Sequence, residues 1–390
     1  MTEVLMPKAA ADLSFFDAEP LLGMVATALV ALSRRRFPGE PVYSDNIQNA
    51  YNHLVLRCLR EHVTPPVSVP AMVEWAAKVP VHRWPLNLPA EYAVPERFLV
   101  DRDTRTPTQS CYEWTIKSNN AAAEKFENLL IAEVLEECRR RKSPESYTAF
   151  RELLITKPTL TDTQLLAATT EDILLVPLYD AIKRCYDVVP AALRRSGVYT
   201  KCARCGCLLV PIGSRGFRCE LDRCRRDNGG TAGEAIAPGA GPLRQLARPL
   251  RMFITGPGLA ETELRDRLEA LGAGLVVQMW PNYDAYDLRV VFPDNRVWAI
   301  DVKDRTDPYL LGRSTKPFRS DPPFDRAFLV VPEYRFAERE DYRRAFERGL
   351  PEDLNPRIRL LTDAELVRMV RNAIRGFRTA DEKEKGQHGA

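Results

Sequence analysis

The chain has 390 residues, and its balance of 45% hydrophobic to 28% charged residues is that of a folded globular protein, which excludes a wholly disordered chain. This length exceeds one ordinary core, so we expect two or three structural units. Lysine and arginine (56) nearly balance aspartate and glutamate (53), so the net charge of +3 demands no polyanionic partner.

The first clear pattern is the apolar run LLGMVATALVAL at residues 21–32. It is too short to cross a bilayer, and acidic residues rather than a basic segment precede it. We therefore predict a buried helix, no membrane association and a cytoplasmic location.

Up to about residue 199 the pattern stays mostly helical, as in AAAEKFENLLIAEVLEECRRR at 121–141, where apolar residues recur at helical spacing. Seven prolines interrupt residues 65–95, where we expect an ordered but irregular strap in which Trp75 and Trp84 are buried. The sequence therefore predicts a mostly helical domain over 1–199 that docks a partner or a nucleic acid.

A cysteine cluster follows at residues 200–226, where Cys202 and Cys205 form one pair and Cys219 and Cys224 a second. Four thiolates can close a tetrahedral zinc shell, and such a ribbon-like site is structural because no ligand position is left for water. The alternative is four unpaired buried cysteines. Cys207 is a spare that could replace Cys205 or stay free.

The cysteine cluster lies in the most basic stretch of the chain. Its candidates for phosphate contact are Arg204, Arg215, Arg218, Arg223, Arg225 and Arg226. Equally, these arginines could do no more than solvate a small zinc module. Residues 227–249 are rich in glycine, alanine and proline and are typical of a linker.

After Leu250 strands alternate with helices. We predict a strand RMFIT, a helix LAETELRDRLEALG, three strands of which the last ends in DVK, and then strand, helix, strand, helix. This order indicates an α/β domain over 250–379 with a mixed central sheet, followed by a disordered tail at 380–390.

The DVK tripeptide is weak evidence alone, but strand alternation puts Asp301 and Lys303 on one face. Asp287 opens the preceding strand. A three-residue Pro-Asp-Asn loop pairs Phe292 with Arg296 and sets Asp287 across from Asp301, whereas a two-residue turn puts it on the wrong face. We therefore predict an odd-length loop or a bulge.

Two carboxylates and a lysine fit phosphodiester hydrolysis. Asp287, Asp301 and the Val302 carbonyl are predicted ligands for Mg²⁺ or Mn²⁺, which acidifies the attacking water. Lys303 would orient that water or stabilise the developing charge. The alternative is a solvated strand end in which Asp301 and Lys303 form only an ion pair.

Glu261 is a third candidate acid. It falls on the same helical stripe as Leu264 and Leu268 and so can look toward the sheet. The alternative is an acid of the first helical turn that stabilises the helix dipole. If the side chain of Asp287 points away from Asp301, Asp284 is the alternative metal ligand.

The order of helix, strand, Asp-opened strand and DVK-ended strand resembles the PD-(D/E)xK, restriction-endonuclease-like family over about residues 250–378. In more detail, TPTQSCYEW (106–114), GVYTKCARCG (197–206) and WPNYDAYDLRVVF are similar to the nuclease encoded beside the bacterial pPIWI-RE protein, with its domain Y at the N-terminus.

The resemblance implies a Mg²⁺-dependent endodeoxyribonuclease that acts on DNA or RNA–DNA hybrids. Its implied partners are an Argonaute-like pPIWI-RE protein and a DinG-type helicase, in an island that defends against invading nucleic acid such as a virus. It leaves a homodimer open.

A second hypothesis is a catalytically silent, zinc-containing subunit that binds nucleic acid or acts as a scaffold. The test between them is whether Asp287, Asp301 and Lys303 converge. None of the four histidines lies in the predicted sheet, which excludes an HNH site there, and the chain has no GxxxxGK[ST] nucleotide-binding loop.

Overall fold

The computed structural model describes residues 18–33, 41–89, 92, 97–115, 125–214, 216–226, 231–237, 239, 241–354 and 358–387, with only the backbone described for 125–128 and 376–387. The chain divides into two compact units, Met1–Lys125 and Phe126–Ala390. Within the described ranges, none of the helices combines the length and the apolar character needed to traverse a bilayer.

The first unit is helical, as the sequence predicts. Its helices are α1 (Ala18–Leu32), α2 (Asp45–Arg60), α3 (Val69–Lys78) and α4 (Gln109–Thr115). The predicted buried helix is confirmed, because the side chains of α1 from Leu21 to Leu29 are nearly all inaccessible to solvent.

The proline-rich stretch is more regular than predicted, because it contains the whole of α3. Ser68 begins this helix by accepting a hydrogen bond from the amide of Ala71 at 3.2 Å, and Pro70 fits its first turn. The rings of Trp75 and Trp84 lie 4.5 Å apart. Trp84 is buried as expected, whereas Trp75 is only partly buried.

The second unit begins with helices that share a core with later parts of the chain. Its first elements are α5 (Lys125–Arg141), α6 (Pro144–Thr156), β1 (Thr159–Thr161), α7 (Asp162–Thr170), α8 (Tyr179–Arg184) and β2 (Tyr186–Val188). One apolar cluster joins Phe150 and Ile182 of this region to Leu246, Ile254 and Trp280. The compact unit therefore begins at Phe126 and not near residue 199.

The cysteine-bearing segment consists of short strands and one helical turn. These are β3 (Tyr199–Cys202), β4 (Val210–Ile212), β5 (Gly216–Arg218) and α9 (Asp222–Arg225). The strands β4 and β5 form an antiparallel hairpin. They carry the second pair of cysteines back toward the first.

The predicted linker at 227–249 contains two strands, which corrects that prediction for its described residues. Strand β6 (Ala232–Ile236) pairs with β3, and β7 (Leu243–Leu246) lies between β1 and β2 in an antiparallel sheet. Small and turn-forming residues suggested a linker, but backbone hydrogen bonding to distant strands overrides local composition.

The predicted strand RMFIT is helical. The short helix α10 (Arg248–Leu250) continues through a wide turn at Arg251–Thr255 into α11 (Gly256–Glu269). An apolar run of this length fits a buried strand or a buried helix equally well, so its periodicity could not decide.

The remaining elements are β8 (Val276–Met279), the turn α12 (Pro281–Asp284), β9 (Leu288–Val291), β10 (Val297–Val302), α13 (Pro308–Ser314), β11 (Arg326–Val331), α14 (Glu333–Glu338), α15 (Tyr342–Gly349), β12 (Leu360–Thr362) and α16 (Asp363–Gln387). The helix α16 extends to residue 387, so the described part of the predicted disordered tail is helical. Its alanine, glutamate and lysine residues favour a helix.

The five strands form one mixed sheet in the order β12-β11-β10-β9-β8. Short connections join β8, β9 and β10 as antiparallel neighbours, whereas β11 and β12 run parallel to β10 after helical crossovers. One face packs on α11 and α16, and the other on α13 and α15. The predicted α/β region with a mixed sheet is therefore confirmed.

Candidate active site

The hairpin of β9 and β10 has the register that the sequence predicts. Leu288 pairs with Ile300 and Val291 with Val297, and the amide of Phe292 donates to the carbonyl of Arg296 at 2.9 Å. The loop therefore contains three residues, the last of them in a left-handed conformation (φ 67°). The predicted odd-length loop is confirmed, and the same register sets Asp287 across from Asp301.

The side chains of Asp287, Asp301 and Lys303 converge at the open end of this hairpin. The Lys303 Nζ atom lies 2.6 Å from Asp301 Oδ1 and 3.5 Å from Asp287 Oδ2. The amide of Val302 donates to Asp287 Oδ2 at 2.6 Å. The two carboxylates and the lysine that the sequence selects thus form one cluster.

Glu261 joins this cluster from α11. The helix begins at Gly256, so Glu261 lies beyond its first turn, and the alternative of a first-turn acid stabilising the dipole is wrong. Glu261 is 3% exposed, and its carboxylate accepts a hydrogen bond from the indole N–H of Trp280 at 2.5 Å. Asp287 points into the site, so Asp284 is not needed to replace it.

Arg151 is a site residue that sequence analysis missed. It projects from α6, with its Nη2 atom 3.1 Å from Glu261 and its Nη1 atom 3.0 Å from Asp284, and it stacks over the ring of Trp280 at 5.1 Å. No sequence pattern singled it out. Tyr147, one turn earlier on the same helix, is buried, and its hydroxyl contacts Asp284 at 3.4 Å.

The charges of the cluster set opposite pKa shifts for the two aspartates. Burial and the nearby Glu261 raise the pKa of Asp287 well above its usual range. Burial also acts on Asp301, but Lys303 outweighs it and lowers the pKa of Asp301. The pKa of Lys303 falls on burial, and the two aspartates more than offset this and raise it.

The metal-binding capacity of the cluster follows from its donors. Asp287 and Asp301 supply carboxylate oxygens, which hard divalent cations prefer, and both lie near the Lys303 ammonium group. Glu261 and Asp284 pair instead with Arg151. Asp287 and Asp301 are therefore the two acids that could hold a divalent ion together.

The four predicted zinc ligands also come together. The sulfur atoms of Cys202, Cys205, Cys219 and Cys224 all lie within 4.8 Å of one another, and each is buried. Cys207 is buried outside this group, and its backbone carbonyl accepts from the amide of Cys202 at 2.7 Å. The cluster could bind zinc with Cys207 as the non-ligand.

The predicted phosphate-binding arginines are largely engaged within the chain. Arg204 and Arg223 pair with Glu263 on α11, Arg225 with Asp222 and Arg226 with Glu338. Arg218 ends β5, and Arg215 lies outside the described residues. Contact of these residues with phosphate stays a prediction, since the ion pairs would compete with it.

Comparison with known families matches two separate regions of the chain. Residues 258–378, which contain the sheet and the acidic cluster, match the family described as the REase associating with pPIWI_RE. Residues 21–161 match the pPIWI_RE three-gene island domain Y, whose matched range includes Arg151. No curated protein and no solved structure matches the chain.

The sheet and its acidic cluster thus define an REase-type domain, which indicates a nuclease-like role. The chain combines a region that matches domain Y of the pPIWI-RE three-gene island with a region that matches the REase associating with pPIWI_RE.

Proposed function

We propose that the protein is a metal-dependent nuclease of the PD-(D/E)xK type that hydrolyses phosphodiester bonds of DNA. The observation that carries this proposal is the convergence of Asp287, Asp301 and Lys303 at one end of the β9–β10 hairpin, within 3.5 Å of the lysine ammonium. A strand end selected only for solubility has no reason to bury Asp287.

The donor set fits Mg²⁺ or Mn²⁺. Asp287 and Asp301 would hold the ion together with the carbonyl of Val302, whose amide already faces Asp287. The raised pKa of Asp287 supports this assignment, because it reflects a buried acid that lacks sufficient positive charge. A bound divalent ion would acidify the attacking water and offset the charge of the scissile phosphate.

Lys303 would remain cationic at neutral pH, since the two aspartates raise its pKa. Its ammonium group can hold the attacking water or stabilise charge on the phosphate. Glu261 is the third acid of the centre, and the hydrogen bond from Trp280 and the ion pair with Arg151 orient its carboxylate.

The four-cysteine cluster would bind Zn²⁺ in a structural role. With all four positions filled by thiolates, no position remains for a water nucleophile. Zinc would supply folding energy to a segment whose strands are only three or four residues long.

The family match supports action within the pPIWI-RE system. We propose that an Argonaute-like pPIWI-RE protein and a DinG-type helicase deliver DNA or an RNA–DNA hybrid to this centre, in defence against invading nucleic acid. Delivery by partners is consistent with the arginines of the cysteine segment, which are already engaged in ion pairs.

The test is cleavage by the purified protein, alone and with the products of its neighbouring genes, on duplex DNA and on hybrids with Mg²⁺ or Mn²⁺. We expect Asp301→Asn to reduce the rate by at least about a hundredfold. The control is Asp294→Asn, since Asp294 is an acid of the same hairpin that pairs with Arg296 at the exposed turn, away from the cluster. Cleavage that survives Asp301→Asn would end this assignment.

A second candidate is a catalytically silent scaffold subunit that binds nucleic acid. The pairing of Arg151 with Glu261 and Asp284 favours it, because cations of the chain already neutralise part of the acidic cluster. The scaffold function would be supported if the wild-type protein, with its partners and Mn²⁺, cleaves none of the substrates.

A further inference from the structure

We propose that Arg223 is a positioning residue that ties the four-cysteine cluster to two of the elements that carry acids of the nuclease centre, the helix α11 and the strand β10. The proposal rests on the proposed function, because it concerns the geometry of that centre. It makes the cysteine cluster part of the support of the active site and not an independent nucleic-acid-binding module.

Arg223 immediately precedes Cys224, one of the four clustered cysteines, and is buried. Its guanidinium group forms an ion pair with Glu263, and its Nη1 atom lies 3.9 Å from Asp304 Oδ2. It also stacks over the ring of Tyr334 at 5.4 Å. One buried side chain therefore contacts three elements beyond the cysteine segment.

Asp304 connects Arg223 to the DVK strand. It directly follows Lys303, is 4% exposed, and accepts from Arg335 Nε at 2.6 Å and from the hydroxyl of Tyr334. Burial alone would raise the pKa of Asp304, but Arg335 and these hydrogen bonds outweigh burial, so the pKa lies below its usual range. The backbone that carries Asp301 and Lys303 is therefore anchored just beyond its last residue.

Glu263 connects Arg223 to α11. It lies two residues after Glu261, so the two side chains project from nearly opposite sides of the helix. Glu261 faces the acidic cluster, whereas Glu263 is partly exposed and faces the cysteine segment. Arg223 holds the outer side of the helix while Glu261 reaches inward.

Glu220 is a second anchor, next to the other cysteine of the pair Cys219 and Cys224. It follows Cys219, is buried, and pairs with Arg248 Nε at 3.0 Å and with Arg251. Burial raises its pKa, but the two arginines outweigh this and lower it to about 2. Arg248 and Arg251 lie in the helical turns that lead directly into α11. The residues next to Cys219 and Cys224, namely Glu220 and Arg223, therefore both contact this helix or its start.

The experiment compares zinc-loaded full-length Arg223→Met and Arg223→Lys with wild type. We expect Arg223→Met to keep one zinc per chain, to bind Mn²⁺ about tenfold more weakly by electron paramagnetic resonance titration, and to exchange amide hydrogens faster across residues 297–304. Arg223→Lys should recover part of both losses, because lysine restores a cation but not the two-armed contact.

The matched control is Lys201→Met. Lys201 precedes Cys202 as Arg223 precedes Cys224, but its ion pair is with Glu234 on β6 and not with an acid of α11. We expect wild-type Mn²⁺ affinity and hydrogen exchange from this variant.

Wild-type behaviour of folded Arg223→Met in both measurements would overturn the proposal. If Arg223→Met does not fold, Glu263→Gln decides instead, because Glu263 is 42% exposed and its replacement is mild. Unchanged hydrogen exchange in α11 would then count against the link. Hydrogen exchange reports on the contacts of Arg223 with α11 and Asp304 even if the wild-type protein cleaves nothing. Failure of this proposal can therefore be distinguished from failure of the proposed nuclease function.

Discussion

Asp287 is a buried acid with a second acid, Glu261, close by, and both circumstances disfavour its ionised form. Its raised pKa comes first from burial and then from Glu261, so the metal-free folded protein holds a proton there to a higher pH than the unfolded chain does. The stabilisation is therefore complete below about pH 4, the unfolded pKa, and is lost as pH rises through the folded pKa. A divalent ion needs the ionised carboxylate, so binding gains with pH over the same window.

We expect the contribution of Asp287 to the free energy of unfolding of the zinc-loaded, Mg²⁺-free protein to fall over this window by at most about 1.4 kcal/mol per pH unit. Asp287→Asn should remove this contribution from the pH dependence, and Mg²⁺ affinity of the wild type should rise with pH. Urea denaturation and metal titration between pH 4 and 8 measure both quantities. An Asp287→Asn protein with the wild-type slope would contradict the assignment.

At the scale of elements, α6 is the unexpected contributor. It lies in the range matched by domain Y, yet its Arg151 pairs with Glu261 of α11 and Asp284 of α12 in the REase range. The local helix was predictable, since Ser143 caps it and Pro144 occupies its first turn. Its packing on α12 was not, because helical spacing identifies a buried face but not its neighbour.

We predict that Arg151→Met destabilises the Mg²⁺-free protein by about 3–5 kcal/mol, since it leaves buried acids without their cation. Divalent ions should then stabilise the variant more than the wild type, because Glu261 and Asp284 become free to bind them. Chemical denaturation with and without Mg²⁺ measures this difference.

The comparison variant is Arg184→Met, which breaks an exposed ion pair with Glu133 and should cost no more than about 1 kcal/mol. Equal responses of the Arg151 and Arg184 variants to Mg²⁺ would show that Arg151 does not neutralise the metal-binding acids.

At the scale of the whole molecule, the cysteine cluster depends both on the spacing within each pair of cysteines and on the chain fold that brings the two pairs together. We expect one zinc per chain in the wild type and in Cys207→Ala, because Cys207 lies outside the group of four sulfurs. Cys219→Ala should lose the metal and much of the cooperative unfolding of the second unit, since structural zinc contributes folding energy directly. Elemental analysis and thermal denaturation test both variants, and zinc loss from Cys207→Ala would reverse the ligand assignment.

Much of the fold and site was predictable where short-range rules apply. The buried helix α1 and the alternation of strands and helices after residue 255 follow from periodicity and turn residues. The three-residue loop after Phe292 follows from strand parity once Asp287 and Asp301 are required to share a face. The cysteine spacing likewise indicated the four clustered sulfurs. These features depend on residues close together in the chain.

The remaining features depended on which distant segments pack together. The segment at 227–249 becomes two strands because β1, β2 and β3 offer partners, and RMFIT becomes helical because it joins α10 to α11. The sequence by itself determined the hairpin that brings Asp287 across from Asp301, since strand parity is a local property. Only the tertiary structure decided that Arg151 pairs with Glu261 and that Arg223 pairs with Glu263 of the same helix, because a buried charge requires a partner that no local pattern identifies.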